Sequence, residues 1–266
     1  MDIRSELTSH LKELHLPTFR ENFEDAASIA AKESLTYEQY LLDLSIKECE
    51  TRRHRRIERY LRESCLPLEK TMDVLDLKRL PKKVVHQVNH LLEGFFLDKT
   101  ENVLAFGNPG TGKTHLLCAI AHELIHKERR IYFTKCAFLV QKLLAAKKDL
   151  KLVQELKKMN KFDAVVIDDI GYVQHNQQEM EILFTFLAER YERGSVMITS
   201  NLAFSKWEKI FKDPMTTAAA IDRVVHHSVI LELNIPSYRM EQANRTKPSD
   251  DKGTTDADNE RIDKGK

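Results

Sequence analysis

The sequence predicts an α/β fold: a five-stranded parallel sheet with flanking helices, preceded by a small all-helical N-terminal domain. Three observations predict it. Short β-rich runs recur at Asn102–Phe106, Ile131–Thr134, Ala164–Asp168, Val196–Ser200 and Val229–Leu233. Most are apolar on both faces, as buried strands of a parallel sheet must be. Helical patterns separate them, and strand–helix alternation winds a chain into a doubly covered sheet.

The N-terminal part reads as helix throughout residues 1–66. Ile3, Leu7, Leu11 and Leu14 repeat at helical spacing until Pro17 interrupts them. Thr36 with Gln39 forms a capping-box signature, and a long helix is expected from there to about Glu63. Tyr40, Leu41, Leu44 and Cys49 fall on its apolar side. Residues 67–100 link this region to the first strand, and 67–243 is expected to be one domain. Met180, Leu183, Phe184, Leu187 and Tyr191 mark one face of a later helix, with Gly194 placed to end it. The last stretch, 244–266, holds too few large apolar residues to offset its ordering entropy and reads as a disordered tail.

Composition narrows the class. The 266 residues are 42% hydrophobic, enough for a core, and 31% charged with a formal net charge of +1. Cys49, Cys65, Cys118 and Cys136 lack metal-ligand or C-x-x-C spacing and read as reduced thiols. The opening MDIRSELTSHLKELHL has no apolar core of a signal peptide, and no run is long enough to cross a bilayer. A cytoplasmic protein with no membrane partner is the expectation.

The chemistry is carried by Gly107-Asn108-Pro109-Gly110-Thr111-Gly112-Lys113-Thr114, a full match to G-x-x-x-x-G-K-[ST] between an apolar strand and a helix. Glycines let successive backbone N–H groups turn toward phosphates, and the helix that follows turns its N-terminal dipole to the same anion. Lys113 is suited to the β- and γ-phosphates of ATP and the Thr114 hydroxyl to Mg²⁺. The strand Ala164–Asp168 ends in Asp168-Asp169, where open α/β sheets bind ligands. Asp168 is then the carboxylate that holds Mg²⁺ through a water, and Asp169 the group that orients or deprotonates the attacking water. Asn201, after a further strand, reaches the same place if that strand lies between the other two; otherwise it is an ordinary turn residue. Arg223 and Arg239 flank the last strand and could neutralise charge on a transferred phosphoryl group, with surface ion pairing as the alternative.

Two basic stretches stand apart. Arg52, Arg53, Arg55, Arg56, Arg59 and Arg62 crowd one helix, either paired with neighbouring Glu48, Glu50 and Glu63 or presented to phosphates. Lys142, Lys147, Lys148, Lys151, Lys157, Lys158 and Lys161 occupy the helical stretch 142–161, whose apolar stripe is expected at Leu143, Ala146, Leu150 and Val153. That leaves the lysines outward, as a solvated face or a nucleic-acid surface.

Together these elements resemble the AAA+ ATPases, and more closely the IstB family of ATP-dependent helpers of insertion-sequence transposition, with the DnaC-type helicase loaders nearby. The resemblance rests on GNPGTGKTHL at 107–116, VVIDDIGYV at 165–173, LAERYERGSVMITSNL at 187–202, AAAIDRVVHHS at 218–228 with SYR at 237–239, and ETRRHRRIERYLRES at 50–64. It implies an ATP site over Gly107–His115, a Walker B pair at Asp168 and Asp169, sensor 1 at Asn201, an arginine finger acting in trans at Arg223, and sensor 2 in cis at Arg239. The usual catalytic glutamate is an aspartate here, which implies slow basal hydrolysis stimulated by a partner. Few residues follow the last strand, so a reduced lid is expected. The resemblance further implies a head-to-tail homo-oligomer on duplex DNA, bound with little sequence preference through Lys142, Lys147, Lys148, Lys151, Lys157 and Lys158 and through Arg52, Arg53, Arg56 and Arg59. Such a protein would deform that DNA and present it to a transposase. A helicase loader and a non-catalytic, ATP-switched DNA adaptor remain open at this level. A small-molecule kinase has no evident use for an arginine acting in trans.

Overall fold

Parallel strands cannot be joined by tight turns, so each pair needs a crossover, and the helices predicted between the apolar runs supply them. The computed structural model describes residues 2–171, 176–203, 206–207, 214–238 and 241. The sheet comprises β1 (Asn102–Phe106), β2 (Ile131–Lys135), β3 (Ala164–Asp168), β4 (Ser195–Ser200) and β5 (Ser228–Glu232), in the order β2-β3-β4-β1-β5. All pairings are parallel, with Val103 opposite Met197 and Ile131 opposite Ala164. The chain leaves β1 for the far edge, returns through β3 and β4, and only then adds β5 beyond β1. The carboxyl ends of β1, β4 and β3 therefore surround a crevice at the point where the winding reverses, the place open α/β sheets use for ligands.

Two apolar layers cover the sheet. On one face Val103, Ala105, Val166, Met197 and Leu231 pack under α4 (Lys82–Glu93) and α6 (Lys113–His126). On the other, Leu104, Val165, Ile167, Val196 and Ile198 pack under α7 (Cys136–Lys148), α8 (Leu152–Met159), α9 (Gln177–Arg190) and α10 (Pro214–Val225). Alternate strand residues thus serve opposite layers, which is why the strands read as continuous apolar runs.

Ahead of the sheet lie α1 (Ile3–Glu13), α2 (Pro17–Glu33), α3 (Tyr37–Ser64) and the short α5 (Phe95–Asp98) just before β1. Both halves of the Thr36–Gln39 capping box form. Pro17 takes the first position of α2, where its missing N–H costs nothing. The second half of α3 lies on the sheet domain: Ile57, Tyr60 and Leu61 join its core, and Arg130 reaches Glu63 at 2.9 Å.

Three sequence expectations are corrected here. Residues 142–161 form two helices, because Leu150 turns left-handed (φ 56°) and the chain closes with Leu150 N–H on Lys147 O and Lys151 N–H on Ala146 O. The turn resets the helical phase. Leu143 and Ala146 are buried, but Leu150 is 93% and Val153 65% exposed, and α8 buries Leu156 and Met159 instead. Gly194 does not end α9. That helix stops at Arg190, and Gly194 lies in the turn beyond, where a Cβ would stand 2.4 Å from the Arg190 guanidinium. The apolar spacing at the N-terminus also overstates burial: Leu11 and Leu44 are buried, whereas Ile3, Leu14, Leu41 and Cys49 are exposed. Arg239 and the tail 244–266 lie outside the described residues.

Candidate functional site

The loop from Gly107 to Gly112 joins β1 to α6. Gly110 and Gly112 take φ 82° and 89°, and Gly107 φ 153°, a path closed to most residues with a Cβ. Space forbids one as well: a Cβ at Gly107 would meet Leu233 O at 2.5 Å, and one at Gly110 would meet Ser237 Oγ at 2.1 Å. The segment after β5 therefore lies directly on the loop, and Tyr238 N–H donates to Gly110 O at 3.0 Å. Gly112 offers α6 no side-chain cap, so the first-turn N–H groups of that helix face the loop as an anion site.

Lys113 is buried with Nζ donating to Gly107 O at 2.8 Å and Asn108 O at 2.9 Å. Thr114 Oγ1 donates to Asp168 Oδ1 at 2.6 Å. The strand β4 does lie between β1 and β3, so Asn201 arrives beside them, its Oδ1 only 2.5 Å from where a Cβ on Gly171 would stand. Thr111 Oγ1 donates to Asn108 O at 3.0 Å, tightening the loop, while Asn108 and Pro109 are exposed. The His115 ring lies 3.0 Å from Thr71 O, which ties α6 to the linker that follows α3. The structure thus brings Lys113, Thr114, Asp168, Asp169 and Asn201 to one crevice.

Thr199 is a residue that sequence reasoning missed. Its Oγ1 donates to Asp168 Oδ1 at 2.7 Å and accepts from Asp169 N–H at 2.8 Å. Asp169 sits at φ 60°, left-handed, so Thr199 fixes both the first carboxylate and the bend that presents the second. Its signal was available: a hydroxyl two residues before Asn201, on the inserted strand. Cys136 lies near Asp169, and burial first, then the charges of Asp169 and Glu179, pushes its thiol up to about 12. Burial does the same to Cys118, also to about 12, so neither thiol is a nucleophile.

Arg223 lies elsewhere. It lines a small pocket with Asn102, Val196 and Arg190, at the opposite end of the strands from Lys113. Its guanidinium is 4.7 Å from the Phe184 ring centroid, and Nη1 is buried without a hydrogen-bond partner among the described residues. Arg190 beside it was also missed as a structural residue. It is 1% exposed and donates to four backbone carbonyls, those of Met159, Phe162, Asp163 and Ser195, at 2.8–3.1 Å. Burial pulls its pKa down to about 10.

The basic stretches divide by partner. Arg52 pairs with Glu48 at 2.7 Å, Arg53 with Glu128 at 3.3 Å, Arg56 also with Glu128, and Arg59 with Glu63 at 3.9 Å. Lys142 and Lys158 both reach Glu155, at 3.5 and 2.5 Å. Lys147, Lys148, Lys151 and Lys157 are exposed with no carboxylate within ion-pair distance among the described residues. No helix of the described residues is long and apolar enough to cross a membrane.

Comparison with known proteins agrees with this geometry. The family described as IstB-like ATP binding protein matches residues 9–246. An insertion-sequence ATP-binding protein of Sinorhizobium fredii is 40% identical over 238 residues, covering 89% of this chain and 80% of that one. The IS21 ATP-binding protein of Pseudomonas aeruginosa is 31% identical over 262 residues, 97% of each chain. Among solved structures, the DnaC helicase loader superposes with a TM-score of 0.53 at 19% identity, over 67% of this chain and 99% of that one. A DnaA initiator bound to AMPPCP and single-stranded DNA gives 0.55 at 15% identity, over 68% and 56%. These two likenesses establish an AAA+ fold.

Proposed function

Because the chain belongs to the IstB-like ATP-binding family, we propose that it is a Mg²⁺-dependent ATPase that assembles head to tail on duplex DNA, deforms that DNA and delivers it to a partner transposase, with hydrolysis controlling assembly and release. The observation that carries this reading is the separation of its parts. Lys113, Thr114, Asp168 and Asn201 stand at the carboxyl ends of the strands, and Arg223 beside their amino ends. Five-residue strands put about 16 Å between the two. Arg223 therefore serves a phosphate only on a neighbouring subunit, and such a heterologous contact repeats into a ring or spiral.

Within the site, Lys113 exchanges its two carbonyl partners for phosphate oxygens. The Thr114 hydroxyl and the Asp168 carboxylate, already 2.6 Å apart, are the hard oxygen donors that fit Mg²⁺. The ion would draw charge from the β- and γ-phosphate oxygens. Asp169 orients the attacking water, and Asn201 and Arg239 hold the γ-phosphate. Exposed, unpaired lysines on α7 and α8 supply the DNA contact through backbone charge, which accounts for little sequence preference. The transposase follows from the relatives, which are named for insertion sequences.

The test is a mixing experiment. Lys113→Ala and Arg223→Ala proteins should each lose DNA-stimulated hydrolysis by about 10²-fold or more. Mixed in equal amounts, they should regain part of it, because one interface in the mixture pairs an intact Lys113 with an intact Arg223. A mixture as inactive as its parents, or an Arg223→Ala protein as active as the wild type, overturns the shared site.

A further inference from the structure

The corner between α7 and α8 carries a leucine that neither backbone nor core explains. Leu150 occupies the position just past the cap of α7, where the chain turns left-handed and glycine or asparagine is the favoured residue. The paired closure Leu150 N–H to Lys147 O and Lys151 N–H to Ala146 O, at 3.2 and 2.7 Å, holds it there. A branched side chain in that conformation carries strain, which burial would normally offset. Leu150 is instead 93% exposed, and Val153, at the start of α8, is 65% exposed beside it in the chain. A lone surface leucine is commonplace. A strained one at the apex of a helical corner, next to a second exposed aliphatic residue, is not.

Its surroundings choose the occupant. Lys147, Lys148 and Lys151 lie within three residues of Leu150, opposed in that corner by Asp149 alone. None of the three has a carboxylate partner among the described residues, whereas Lys142 and Lys158 on the same two helices share Glu155. An apolar residue among exposed cations that lack a carboxylate partner does not suit the core of a protein interface, where unpaired charge is depleted. It suits duplex DNA, whose phosphates neutralise the lysines while an aliphatic side chain enters between base pairs. Architectural proteins bend DNA with leucine, isoleucine, phenylalanine or methionine wedges in this way.

We propose that Leu150, supported by Val153, is a wedge that unstacks a base step of bound duplex DNA while Lys147, Lys148 and Lys151 hold the flanking phosphates. The inference rests on the DNA-binding reading above and gives its deformation a physical agent. An aliphatic wedge reads no base edge. It favours steps that unstack cheaply, pyrimidine–purine steps first.

The experiment uses the full-length protein with ATP and a duplex of about 30 base pairs, labelled at both ends for energy transfer. Wild type should bring the ends together. Leu150→Gly, which relieves the left-handed strain, should keep or raise the melting temperature and bind within about threefold of wild type, yet lose most of the end-to-end change. Leu150→Met should retain it. Lys147→Glu with Lys148→Glu and Lys151→Glu should weaken binding more than about tenfold at moderate salt. A Leu150→Gly protein that bends DNA as the wild type does overturns the wedge and leaves the DNA-binding reading standing. So does one that bends DNA normally and loses only self-association or transposase capture, since the leucine would then belong to a protein contact. A wild-type protein that does not bind duplex at all overturns both.

Discussion

The two ends of the sheet each bury a cation against backbone carbonyls, and they put it to opposite uses. At the carboxyl end, Lys113 Nζ rests on two carbonyls of a loop whose Asn108 and Pro109 are exposed. At the amino end, Arg190 is sealed by Gly194 and spends its guanidinium on four carbonyls from two segments of chain. Each cation is desolvated and donates to neutral backbone oxygens. The two carbonyls under the lysine belong to a loop exposed at Asn108 and Pro109, so an incoming phosphate can replace them. The arginine's are many and enclosed, so nothing can. The same electrostatics makes a binding site where one side is open and a rivet where all sides are closed.

Substitution should separate the two sharply. Arg190→Met takes the guanidinium donors from four carbonyls, of which those of Met159 and Asp163 keep a backbone N–H, and should cost about 3–5 kcal/mol of unfolding free energy, read as a lower urea midpoint. Lys113→Met removes a group with replaceable partners and should cost about 1 kcal/mol or less while abolishing nucleotide binding. Equal losses of stability in the two variants would erase the distinction.

A sharper version lies within the nucleotide end. Thr199 holds Asp168 and the Asp169 backbone but, two residues before Asn201 and within the strand, is a positioning group rather than a contact to phosphate. Thr199→Val should lower kcat about 10- to 100-fold with little change in the KM for ATP, because binding at the loop survives while the carboxylates lose their alignment. Thr199→Ser, which keeps the hydroxyl, should restore most of the rate. A Thr199→Val enzyme with a raised KM and normal kcat would place the hydroxyl in substrate binding instead.

The contrast also explains what the sequence made legible. Gly107–Thr114 is contiguous, and its chemistry requires those residues at that spacing, so the loop could be read directly. The strands were legible because both faces of each are buried. Arg190 was not, because its partners are backbone carbonyls of other segments and carry no residue identity. Leu150 was misplaced because a helical period fixes the phase only while the helix continues. The arginine run on α3 suggested neighbouring glutamates, yet Arg53 and Arg56 meet Glu128, more than seventy positions away. Local order and buried pattern survive in one dimension; polar pairing between distant segments does not.

The smallest expected effect concerns a third buried charge, this time a carboxylate, in the N-terminal helices. Glu48 is 4% exposed, with one oxygen accepting Thr18 N–H at 2.8 Å and the other accepting Arg52 Nε at 2.7 Å. Burial alone would raise its pKa, but the hydrogen bonds from Arg52 and Thr18 and the Arg52 charge outweigh it and hold the pKa below 4.5. A carboxyl group lowered in the folded state stabilises the fold fully above its unfolded pKa and loses that contribution as pH falls through the folded value. Arg52 is half exposed, so solvent screens the pair. Glu48→Gln should therefore cost about 1 kcal/mol at neutral pH, seen as faster amide exchange along α1 and α2. The gap to wild type should narrow as pH falls below 4.5, because protonation takes from the wild type what the substitution has already removed. A gap that stays constant across that range would mean that Glu48 contributes through shape and packing, and that its charge is incidental.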